Sequence, residues 1–225
     1  MLAVSAACSE ASPPPPPLPT LAQPSPTAEV QVAVVGTGPT TTPAPSGPAI
    51  PEEVLPGEHV SASGSLTETE TQAAGPMLCQ IQRDSCAFQH LIIDQDPNVV
   101  FSNAQPPPYG QENRMMHPAM QLPLARLAAL VKSEWSGSVQ LLVTAAYDSQ
   151  FNHDLEEPVA QLRYSLHYEG RSIDLVPLPV NPARIARLCA LALHAGYDWV
   201  HNEINHCHAS IRATSLCTVC SALAP

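Results

Sequence analysis

The sequence Ser165-Leu166-His167-Tyr168-Glu169-Gly170-Arg171-Ser172-Ile173-Asp174 carries a tight turn at its centre. Leu162 to His167 reads as a strand, Tyr168 to Arg171 as the turn, and Ile173 to Leu175 as the returning strand. A histidine and an aspartate, His167 and Asp174, thereby stand at the two ends of one hairpin.

Downstream, a helix is fully punctuated. Asn181 caps it, Pro182 takes its first turn, Ile185, Leu188, Cys189 and Ala192 form a buried stripe, and Gly196 ends it. Tyr197 to His201 and Cys207 to Ile211 read as two further strands. Upstream, Val139 to Thr144 has the composition of a strand with at least one buried face. Before it, Leu124, Leu127, Ala128 and Val131 repeat at helical spacing, with Pro123 in the first turn. Leu91 to Phe101 has a strand–turn–strand pattern, Asn103 to Gln111 reads as a Pro-rich loop, and residues 148–161 as a polar, acidic surface loop. This order of elements predicts an α+β fold, with helices on one face of a largely antiparallel sheet.

Composition divides the chain. Residues 1–82 hold fifteen of its 26 prolines, no Lys or Arg, and no aromatic residue. Such a segment has too little to bury to offset the entropy of ordering it. Residues 1–85 therefore read as a disordered Pro/Ser/Thr-rich stalk or solvated tail, 86–216 as the folded unit, and 217–225 as a C-terminal tail. The formal charge is −11 with nine Lys and Arg together, which argues against a nucleic-acid or polybasic membrane contact. No run of about 18 apolar residues could span a bilayer. Met1 to Cys8 is short and lacks a basic residue, a poor secretory signal; export by another route, or origin from a longer chain, would account for that. Among seven cysteines, Cys217 and Cys220 form a single C-x-x-C, readable as a dithiol or as ordinary disulfide partners.

The chemistry concentrates late in the chain. His206 and His208, two apart on one strand, face the same way, with Cys207 opposite. With His167 and Asp174 they supply zinc-ligand types. Three protein ligands leave one tetrahedral position open, as in catalytic rather than structural zinc sites. Glu203 is a carboxylate able to accept a proton beside such an ion. His194 and His201 read as incidental surface residues.

Residues 165–174, then Ala195-Gly196-Tyr197-Asp198-Trp199-Val200, Glu203 and His208-Ala209-Ser210-Ile211, together resemble the Hedgehog amino-terminal signalling domain. The resemblance extends over roughly residues 90–212, through Asn98 to Phe101, Arg114-Met115-Met116, Leu124 to Val131 and Trp135 to Thr144. It implies a fold shared with zinc D-Ala-D-Ala peptidases. It further implies His167, Asp174 and His208 as zinc ligands, Glu203 as the adjacent carboxylate, and His206 as a pocket histidine. A ligand three residues after the glutamate, as in some peptidases of that superfamily, would select His206 instead; the His-Ala-Ser-Ile match favours His208. Calcium binding is not expected: Asp148 is present, but Ala145 stands where a glutamate belongs, and Ser102 to Gln111 holds no carboxylate. The family's lipid-bearing cysteine motif, basic run and Gly-Cys-Phe processing junction have no match here, so a lipid-modified morphogen is not expected. Three functions follow as expectations: an extracellular zinc-binding module that recognises a protein partner or receptor, a zinc metallopeptidase with Glu203 as general base, or a structural extracellular domain.

Overall fold

The computed structural model describes residues 50–60, 65–103, 107–149 and 164–222. The elements, in chain order, are β1 (His59–Val60), α1 (Leu66–Ala74), α2 (Cys86–Gln89), β2 (Ile92–Ile93), β3 (Val99–Phe101), β4 (Met115–Met116), α3 (Gln121–Glu134), β5 (Gln140–Ala145), β6 (Ser172–Leu178), α4 (Ile185–Ala195), β7 (Trp199–Asn202), β8 (Cys207–Ser210) and α5 (Leu216–Ala222). The main sheet runs β1-β7-β8-β6-β5-β3. Every pairing in it is antiparallel except β3 with β5. The fold is α+β, as the sequence predicts.

Alternation along the strands sorts the two faces of this sheet. Ile173 and Leu175 of β6, Cys207 and Ala209 of β8, and Val200 of β7 belong to the principal core. Against them pack α3, through Leu124, Leu127, Ala128 and Val131, and α4, through Ile185, Leu188, Cys189 and Ala192. Both stripes are the ones their helical spacing predicts. Cys189 and Cys207 form a disulfide between α4 and β8.

The other face carries Ser172 and Asp174 of β6, His208 and Ser210 of β8, and Trp199 and His201 of β7. Helix α1 lies against it, with the Trp199 indole N–H donating to the Thr69 hydroxyl at 3.2 Å. Helix α1 thus adds cover on this face, opposite the one on which α3 and α4 pack. Ordered structure also begins before residue 86. A capping box starts α1: Ser65 accepts from the Glu68 N–H, and Glu68 accepts from the Ser65 N–H at 2.9 Å. Val54 is buried in the core. Composition concealed these residues because their burial depends on a surface supplied much later in the chain.

Other local readings need correcting. Ser165 caps a 3₁₀ turn, Leu166–Glu169, where a strand end is expected from the sequence; residues 162–163 of that expected strand, like residues 150–161 of the expected loop at 148–161, lie outside the described residues. Gly170 then reverses the chain at φ +63°, and a Cβ there would meet the His117 backbone nitrogen at 2.9 Å. Strands β2 and β3 do not pair with each other; β2 pairs with β4 and β3 with β5. Residues 217–222 form most of α5 rather than a tail, and Cys217 and Cys220 bond to Cys79 and Cys86, not as a free dithiol.

A buried ion pair lies at the junction of the 3₁₀ turn and β6. The Arg171 guanidinium donates to Glu169 at 2.7 Å, to the Ala74 carbonyl at 2.8 Å and to the Pro76 carbonyl at 2.5 Å. Glu169 also accepts from the Leu78 and Cys79 N–H groups and the Ser215 hydroxyl. This pair fastens the end of α1 and the start of the C-terminal segment to the sheet.

Candidate metal centre

Three elements bring His167, Asp174 and His208 together. His167 stands in the 3₁₀ turn, Asp174 in β6, and His208 in β8, where it pairs directly with Asp174. Opposite Asp174 the register of β5 shifts between Val143 and Ala145. Just past this bulge, the Ala146 carbonyl reaches the His167 ring.

The donor atoms form a small triangle. His208 Nδ1 lies 3.0 Å from Asp174 Oδ1 and 3.3 Å from His167 Nε2, and His167 Nε2 lies 3.4 Å from Asp174 Oδ1. Ligands about 2.0–2.1 Å from a tetrahedral ion stand about 3.3 Å apart, so the triangle matches one face of such a tetrahedron. The remaining ring nitrogens fix the tautomers. His167 Nδ1 faces the Ala146 carbonyl at 2.7 Å, and His208 Nε2 faces the Glu70 carboxylate at 3.0 Å. Both partners can only accept, so both of those nitrogens carry protons. In the neutral rings, the lone pairs of His167 Nε2 and His208 Nδ1 then point at the same space, shared with a carboxylate oxygen. The donor set fits zinc in type and spacing.

The electrostatics agree. Burial acts to depress the His208 pKa, but the hydrogen bonds that its ring donates to Asp174 and Glu70 overrule it and hold the imidazole well above its ordinary value. Burial acts to raise Asp174, yet the two histidines hold it well below the usual carboxylate range.

The triangle opens into a cleft of about 340 Å³, lined also by Glu70, Trp199, His201, Glu203 and His206. Glu203 lies 3.5 Å from both His201 and His206, and His206 Nε2 lies 3.5 Å from Asp174. The hydrogen bond from His201 is the main cause holding the Glu203 pKa below normal. All five predicted site residues thus share one cleft. His201 is not incidental: it pairs with His208 across β7 and β8 and faces the cleft. The period-2 alternation with Trp199 was the signal that could have placed it. Glu70 was missed because it lies in the segment read as a stalk; the capping box ahead of it was the available sign of a helix.

Residues 42–210 match the family model of the Hedgehog amino-terminal signalling domain. The chain belongs to the Hedgehog signalling-domain family. It is 33% identical over 152 residues to protein hedgehog of Drosophila pseudoobscura pseudoobscura, covering 67% of this chain and 29% of that protein. It is 31% identical over 164 residues to tiggy-winkle hedgehog protein of Danio rerio, covering 72% of this chain and 36% of that one. The chain thus spans about a third of the length of the curated relatives it matches. The Hedgehog match carries the α+β fold and takes in the stretch from Glu70 to Ser210.

Proposed function

We propose that the chain is an extracellular Hedgehog-like module that holds zinc at His167, Asp174 and His208 and acts in signalling by recognising a protein partner. The carrying observation is the convergence of two imidazole lone pairs and one carboxylate oxygen on a common point. Zinc there would stabilise the hairpin against β8 and shape the floor of the cleft. Secretion is supported by the cysteines: Cys79–Cys217, Cys86–Cys220 and Cys189–Cys207 have Cα separations of 6.2, 5.9 and 5.5 Å, within the span of a disulfide. Such cross-links persist in oxidising compartments. Among the described residues, no helix is long and apolar enough to cross a membrane.

The cleft also favours a second reading, peptide hydrolysis. Zinc, when bound, would supply Lewis-acid polarisation. Glu203 would accept a proton, and His206, beside both Glu203 and Asp174, would steady the charge. Membership of the Hedgehog signalling-domain family makes recognition the preferred reading. Glu203→Ala separates the two. If zinc stays and cleavage of a peptide library or of D-Ala-D-Ala substrates disappears, the domain is a peptidase. If neither protein cleaves, and binding to receptor-bearing cells is lost on zinc removal by a chelator, it is a recognition module. Partner binding unaffected by chelation would contradict the proposal.

A further inference from the structure

Glu70 reaches the centre from α1, 138 positions before His208 in sequence. It is nearly fully buried, and its Oε1 accepts from His208 Nε2, from the Ser210 hydroxyl and from the Ser172 hydroxyl at 3.3 Å. Among the described residues His206 is held less closely: its Nδ1 meets the side-chain amide oxygen of the adjacent Asn205 at 2.9 Å on the exposed turn, and its Nε2 stands 3.5 Å from Asp174 and from Glu203. A free imidazole can bind an ion through either nitrogen. A ring whose Nε2 proton is held by a buried carboxylate can do so only through Nδ1, and the carboxylate also raises the basicity of that atom.

We propose that Glu70 is the positioning residue of the centre: it commits His208 Nδ1 to the ion and so couples the docking of α1 to metal binding. This rests on the zinc reading above. The helix that covers the sheet is then part of the metal site. Its other attachments serve the same placement. The Thr69 hydroxyl accepts from Trp199, and the carbonyls of Ala73 and Ala74 at the end of α1 accept from Arg212 and Arg171 at 2.8 Å each. Trp199 packs edge-on to His208, with ring centroids 5.6 Å apart. Coupling of this kind is reciprocal. The factor by which docked α1 tightens zinc is the factor by which zinc favours docked α1.

The test uses the full chain, wild type, Glu70→Ala and Glu70→Gln, with zinc affinity measured by competition against a chromophoric chelator. Amide hydrogen exchange of residues 66–74 is followed with and without zinc. The glutamine variant keeps an acceptor of the same shape without the charge, and so guards against a variant that fails to fold. Loss of such a supporting carboxylate typically weakens metal affinity about 10- to 100-fold, which is the effect expected for the alanine variant. The glutamine variant should fall between it and the wild type. Zinc should slow exchange in α1 of the wild type by a comparable factor and leave α1 of the alanine variant unchanged. A merely structural Glu70 would speed α1 exchange in the variant equally with and without zinc, at unaltered affinity, and that result overturns the inference. A wild-type chain that takes up no zinc overturns the metal reading itself and the inference with it.

Discussion

Replacing Arg171 by alanine removes the only cation seen to contact the buried Glu169 carboxylate among the described residues. The substitution strands a negative charge in a site with essentially no water access. It also leaves the Ala74 and Pro76 carbonyls without their guanidinium donor. Removing one partner of a buried pair costs about 3–5 kcal/mol, far more than an exposed pair is worth. For a domain of this size, that loss lowers the melting temperature by roughly 6–20 °C. The assay is equilibrium urea unfolding of the oxidised protein, with thermal melts in parallel. The double variant Arg171→Ala with Glu169→Gln sharpens the test. Glutamine removes the stranded charge while its amide oxygen still accepts from Leu78, Cys79 and Ser215. The double variant should therefore be less destabilised than the sum of the singles, with a coupling of about 1–3 kcal/mol. An Arg171→Ala protein melting within about 2 °C of wild type would refute the reasoning, since that corresponds to no more than about 1 kcal/mol.

Gly170→Ala should cost more than about 1 kcal/mol by chemical denaturation, because the residue sits at φ +63° and a new Cβ would press on the backbone of His117 and Met116. Replacing Cys217 and Cys220 together by serine removes closures of 138 and 134 residues. Each is worth about 2–5 kcal/mol, and limited proteolysis should then cut within residues 216–222 while the main sheet stays folded. In metal-free protein, the raised His208 pKa stabilises the fold fully below the unfolded value near 6.5, and this contribution fades as pH rises through the folded value. The stability gap between wild type and His208→Ala, measured in chelator, should thus be larger at pH 5.5 than at pH 9; a gap that grows with pH would contradict the assignment. Asp174 acts in the opposite sense: its lowered pKa stabilises the fold above the unfolded value near 3.8, and that contribution is lost as pH falls through the still lower folded value.

Local chemistry was legible where the chain specifies it nearby. The stripes of α3 and α4, the Asn181 cap, the Gly196 stop and the alternation in β5 all report on their own neighbourhoods, and the folded chain places them as expected. His167, Asp174 and His208 could be grouped because the first two flank one tight turn and the third lies on the strand that pairs with Asp174. What was not legible depends on distant partners. Glu70 looks like one acidic residue in a Thr-rich stretch until His208 and Ser210 arrive to receive it. The 3₁₀ turn at Leu166–Glu169 replaced a strand because the Ser165 hydroxyl accepts from the His167 N–H, a local competitor to sheet pairing. The four cysteines at 79, 86, 217 and 220 pair across the chain, and no spacing rule reveals that connectivity.

Anomalous X-ray scattering at the zinc edge, on crystals of the full chain grown without added metal, tests the central claim most directly. The account predicts one strong peak about 2.0–2.2 Å from His167 Nε2, Asp174 Oδ1 and His208 Nδ1. No peak among those three atoms, or a peak held by His206 with His208 Nδ1 turned away, would contradict it.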